Sequence, residues 1–118
     1  MTIEEIIKKT LKNGLSYKDL EGFSTQEGTS VEDSFNRVSL YIARKFDVGE
    51  MSYEDGDYAM NEVWNIMLDY IVNQDIPIIQ PCYDIYCAFD AGEYIHKDET
   101  DPVAEYTRPS IKAVLKNA

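Results

Sequence analysis

The chain has 118 residues, 22 acidic and 11 basic, with a formal charge of −11 at pH 7 and 44% apolar residues. That length fits one domain, and nine Tyr, four Phe and one Trp exclude an acidic disordered chain, which lacks the residues to fill a core. The charge excludes nonspecific binding to nucleic acid or to an anionic membrane, since both require cations to offset phosphate.

In chain order, the pattern predicts helices over about residues 2–13, 30–46, 53–73, 81–94 and 102–117, with a connector over 14–29. Thr2 with Glu5 three residues on is a capping-box pattern, and Ile3, Ile6, Ile7 and Leu11 form an apolar stripe that Asn13-Gly14 ends. Leu15, Leu20 and Phe23 pin the connector to the core, with a short turn starting at Ser16. Ser30 with Asp33 opens the second helix, whose Val31, Phe35, Val38 and Ile42 recur at the spacing of one buried face.

Ser52 with Asp55 opens the third and longest helix, with Met60, Val63, Met67 and Ile71 inward and Trp64 at the edge of the core. Gln74-Asp75-Ile76-Pro77 breaks the chain, and Pro81 fits the first turn of a fourth helix that buries Cys82, Ile85 and Phe89. Residues 96–101 read as a polar loop; Asp101-Pro102 starts a short turn, and Thr107-Arg108-Pro109 restarts a last helix with Ile111, Val114 and Leu115 inward. Arg108 is expected to tie that helix to an acid of the middle segment. Prolines 77 and 81 exclude a central strand in the one β-rich stretch. The expected fold is all-α, a single compact bundle of four to five helices.

The first ten residues, MTIEEIIKKT, carry acids where a secretory signal needs bases. No apolar run approaches the roughly 20 residues that span a bilayer. Cys82 and Cys87 are five apart, an awkward spacing for a disulfide on one helix, and both are expected to be reduced and buried. A cytoplasmic protein is expected.

The charge is unevenly spread. Residues 1–45 hold seven acids and seven bases, and residues 97–118 hold four of each. Residues 46–96 hold Asp47, Glu50, Glu54, Asp55, Asp57, Glu62, Asp69, Asp75, Asp84, Asp90 and Glu93 with no Lys or Arg, together with Trp64 and six of the nine Tyr. Like charges in such a window repel, and its helices lack the i,i+4 Glu–Lys pairs that soften repulsion. Two readings follow: acids paired with bases from the neutral flanks, or an anionic, Tyr-rich surface for a basic partner. Tyrosine suits the second because it adds contact area with little rotamer entropy.

No constellation carries catalysis. Met51 to Glu62 places Gly56 and Glu62 at the sixth and twelfth positions of a calcium loop, but Met51 and Tyr53 stand where its first carboxylates belong. Glu93-Tyr94-Ile95-His96 is a Glu-x-x-His pair, yet the chain has one histidine, so the second pair of a di-iron bundle is absent and Glu93 with His96 is left as a minor metal-binding alternative. Cys87 and His96 lie in no cysteine-enzyme context, and acidic neighbours raise a thiol pKa rather than activate it. There is no glycine-rich phosphate loop and no nucleophile elbow. The expectation is a non-enzyme without cofactor or resident metal.

The residues expected to meet a basic protein partner are Glu50, Glu54, Asp55, Asp57, Tyr58, Asp84, Asp90, Glu93 and Tyr94. In size, acidity, helical plan and acidic-aromatic middle, the chain resembles the small acidic helical immunity proteins that protect bacteria from their own nuclease toxins. The resemblance is one of layout and carries no site residue over. It implies inhibition by carboxylates that occupy a cationic, phosphate-binding groove, with electrostatic steering speeding association. The alternative is an accessory or regulatory helical protein, with a homodimer as one form of it.

Overall fold

In the computed structural model, which describes residues 1–93 and 101–118, a Ser or Thr hydroxyl opens each of the first four helices. These are α1 (Ile3–Asn13), α2 (Tyr17–Glu27), α3 (Val31–Asp47) and α4 (Tyr53–Gln74). Thr2, Ser16, Ser30 and Ser52 each accept from the backbone N–H three residues on, the donor being Glu5, Asp19, Asp33 and Asp55 in turn. The hydroxyl satisfies an N–H that the helix leaves unpaired, and the acid favours the positive end of the helix dipole. Three of these starts follow the expected pattern. The Ser16 start is a correction, because residues 17–27 form a full helix and not a connector.

The sequence signal for α2 is weak because Leu20, Phe23 and Ser24 are its only buried residues and Gly22 interrupts it. A glycine inside a helix costs roughly 1 kcal/mol against alanine, so α2 depends on contacts made elsewhere. Those contacts are an ion pair from Lys9 of α1 to Asp19 at 2.6 Å and a buried Ser24–Ser34 hydroxyl bond at 2.6 Å.

Asp75 ends α4 in the left-handed conformation at φ 51°. The chain then runs into α5 (Cys82–Ala91), a π-helical turn (Val103–Thr107) and α6 (Arg108–Asn117). Helix α5 has no cap of its own; Asn36 of α3 accepts from the Cys82 N–H at 3.0 Å instead. The span 102–117 is therefore divided, and α6 restarts at Arg108 as the Thr107-Arg108-Pro109 pattern predicts. Pro109 has no N–H and its ring crowds the carbonyl four residues back, and the preceding turn is widened, with the Arg108 N–H bonded to Val103 O.

The described residues form six α-helices and no strand, so the all-α bundle holds with more helices than the four to five expected. Helices α3, α4 and α5 pack on one another at the centre, α1 covers α3 and α4, α2 lies on α3, and α6 closes against α3 and α5. Phe35, Ile42, Phe46, Met60, Met67, Ile85, Phe89 and Ile111 fill the shared core. Among the described residues, no helix is long and apolar enough to cross a membrane.

Candidate functional site

Helices α4 and α5 run antiparallel, and two glycines set how closely they meet. A Cβ on Gly56 would stand 2.5 Å from the Phe89 ring, and one on Gly92 would stand 2.5 Å from Thr107 Oγ1 and 2.9 Å from the Tyr53 hydroxyl. Without those atoms, Tyr53 donates to Phe89 O at 2.7 Å and Thr107 donates to Ala88 O at 2.7 Å. The Tyr53 hydroxyl adds to the Gly92 N–H on the Phe89 carbonyl, and Thr107 supplies a donor to the Ala88 carbonyl, both in the last turn of α5.

This approach brings three of the expected acids together. Glu93 hydrogen-bonds to both Asp90 and Asp57, and its carboxyl is pushed up to about 7 by the Asp90 bond first, then by burial and by Asp57. Burial pushes Asp57 up as well; the charge of Asp90 adds to this and the bond with Glu93 opposes it. Tyr53 faces the same group. Its hydroxyl is raised well above the usual tyrosine range by burial and then by the charges of Asp57, Glu93, Asp90 and Glu54. Near neutral pH the cluster therefore retains a proton that isolated carboxylates would have lost.

Next to the acids lies an aromatic layer. The Trp64 ring is 4.7 Å from that of Tyr86 at 12° and 5.5 Å from that of Tyr83 at 43°. Along α4, Asp57, Asn61, Trp64, Leu68 and Val72 follow one another at three- and four-residue spacing, which places them on one face. Along α5, Tyr83, Tyr86, Cys87 and Asp90 do the same. The result is a single α4–α5 face, acidic at the Asp57 end, aromatic in the middle and aliphatic at the Val72 end.

The other expected residues are distributed elsewhere. Glu50 is held by Lys45 at 2.9 Å. Glu54 and Asp55 are exposed in the first turn of α4; by helical phase Asp55 lies on the opposite side of α4 from Asp57. Tyr58 is exposed. Asp84 accepts from Gln80 at 3.1 Å at the far end of α5, away from the Asp57 cluster. Tyr94 and His96 lie outside the described residues. Tyr53, Trp64, Tyr83, Tyr86, Leu68 and Val72 join the face beyond the residues expected from the sequence, although the spacing of positions 57, 61, 64, 68 and 72 is visible in it.

Two smaller expectations change. Arg108 sits over the Phe46 ring, 4.9 Å from its centroid, and the tie from α6 is made by Lys112 to Asp47 at 2.9 Å. Both cysteines are free, but only Cys82 is buried; Cys87 is exposed on the α4–α5 face. The reason is helical phase, which points Cys82 to Ser39 of α3 and Cys87 toward Tyr83.

Among the described residues, Asp47 and Glu50 are the acids of the 46–96 window that form ion pairs, and no group of three or more His, Cys, Asp or Glu is arranged to hold a metal ion. A groove of about 460 Å³ lies on the other side of the molecule, lined by Phe23, Leu40, Tyr41, Arg37 and Arg44 among others. Arg37 there is already engaged by Asp33 at 2.8 Å. Comparison with protein-family models, with curated proteins and with solved structures gives no match to this chain.

Proposed function

We propose that this protein is an acidic binding module that docks on a basic partner protein through the α4–α5 face. The observation that carries the reading is the convergence of Asp57, Asp90 and Glu93 at one end of that face, with no ion pair to any of them among the described residues. Acids held together in this way raise the energy of the isolated chain, and a guanidinium or ammonium group arriving between them removes the repulsion. Tyr53, Trp64, Tyr83 and Tyr86 supply the rigid aromatic area that slows dissociation once charge has steered the encounter. A nuclease toxin with a cationic groove is one partner of this kind, and inhibition of such a toxin is the form of the function that the resemblance suggests.

The test compares capture by the unaltered chain with capture by an Asp57→Lys/Asp90→Lys variant. A basic protein should be retained by the first and not by the second, and retention should fall steeply between low and high salt. Equal retention by both, or retention insensitive to salt, would count against the reading.

A further inference from the structure

Leu68 and Val72 on α4, in one row with the half-buried Trp64, form an apolar surface that the bundle itself leaves open. Val72 is 69% exposed, Leu68 42%, and Ile78 in the following loop 45%. Helix α4 buries its other apolar stripe, Ala59, Met60, Val63, Met67 and Ile71, against the core, so Leu68 and Val72 are not required by the fold. From Asp57 to Val72 the face is about 22 Å long, at 1.5 Å per helical residue. Tyr83 and Tyr86 of α5 make a second ridge beside it.

Building on the cationic-partner reading, we infer that the segment received here is an amphipathic basic helix, lying along the α4–α5 face with its apolar side on Trp64, Leu68 and Val72. A row of this length matches about four helical turns, and a helix laid along α4 seats its apolar side by ridge-into-groove packing, which an extended strand does not match. Charge decides between a foreign helix and a second copy of this chain. Asp57, Asp90 and Glu93 stand at one end of the face and Asp75 lies beyond the other, and α4 and α5 contain no Lys or Arg. A second copy would set acid against acid in either orientation, whereas Lys or Arg flanking an apolar stripe is complementary at both ends.

Trp64 is the sole tryptophan and lies in the row, so its emission reports occupancy by a peptide that lacks Trp. The probe is an 18-residue peptide of Leu and Lys with Leu at i, i+3, i+4 and i+7, set against a scrambled peptide of the same composition. The patterned peptide should shift Trp64 emission to shorter wavelength and bind at least tenfold more tightly than the scrambled one. Leu68→Ser with Val72→Ser should remove that advantage while leaving the melting curve unchanged, because both side chains are exposed. Equal binding of the two peptides, lost in Asp57→Lys/Asp90→Lys, would overturn the helix and leave the cationic-partner reading standing. No binding of either peptide at low salt would overturn both. A dimer seen by light scattering and dissolved by Leu68→Ser with Val72→Ser would overturn the foreign helix in favour of a second copy.

Discussion

The indole of Trp64 lies almost parallel to the ring of Tyr86, with 4.7 Å between centroids and 12° between planes. The pair joins α4 to α5 at the middle of the proposed docking face, so the same contact serves stability and surface shape. A double-mutant cycle with Trp64→Leu and Tyr86→Leu should return a coupling of about 0.5–1.5 kcal/mol in urea unfolding. A coupling near zero would mean that the stack adds nothing beyond the area each ring buries.

Gly92 and Gly22 should respond in opposite directions to alanine. A Cβ at Gly92 meets Thr107 and Tyr53, whereas one at Gly22 meets nothing within 4 Å. Gly92→Ala should cost about 1–3 kcal/mol, since neither hydroxyl can move without losing its bond to an α5 carbonyl. Gly22→Ala should stabilise by up to about 1 kcal/mol through helix propensity. Thermal melts of the two variants check the contrast.

Stability should rise as pH falls from 7 toward 5. Glu93 is raised from the usual 4.5 to about 7, so in that window the folded chain holds a proton that the unfolded chain has released, and folding is favoured by acid. The groups facing it are Asp57, Asp90 and Tyr53. The gain should be below about 1 kcal/mol because Glu93 is solvent-exposed, and Glu93→Gln should flatten it. Asp33 has the opposite sign: the Thr29 hydrogen bond, helped by Arg37, holds it below 3.8. Its stabilisation is present above 3.8 and is lost as pH falls through its folded value, so maximum stability lies on the acid side of neutrality.

Asp57 and Asp55 should separate under substitution. Asp57→Asn removes a carboxylate from a repelling cluster and should leave stability unchanged or raise it by a few tenths of a kcal/mol, about the size of a surface charge effect. Asp55→Lys places a cation at the positive end of α4 and should cost about 0.3–1 kcal/mol. Urea midpoints of the two variants moving in the same direction would refute the division.

The two thiols should react with reagent at separate rates. Cys87 is exposed, while Cys82 is buried with its thiol pushed up to about 12 by burial. An aromatic disulfide reagent should label one thiol per folded chain quickly and the second only on unfolding. Cys87→Ser should abolish the fast phase.

Much of the fold was legible because it rests on local chemistry. Thr2, Ser30 and Ser52 announce helix starts through hydrogen bonds to residues three positions on, and the stripes of α3 and α4 show which face turns inward. Helix α2 was not legible, since its stability comes from Lys9, Ser34 and the core rather than from its own eleven residues. The turn after Asp101-Pro102 and the restart at Arg108 are legible, but not the π geometry of that turn, because a proline restart looks the same in sequence whether the preceding turn is α or π.

The sequence by itself determined that the charge of −11 lies on residues 46–96, because charge is a property of residue type and adds along the chain. Only the tertiary structure decided which of those acids meet. Asp57 and Glu93 are 36 positions apart and are joined only because Gly56 and Gly92 let α4 and α5 approach, while Glu50 is neutralised by Lys45 and Asp84 is carried to the far end of α5. Electrostatic interaction falls with distance in space, and distance in space is what packing sets.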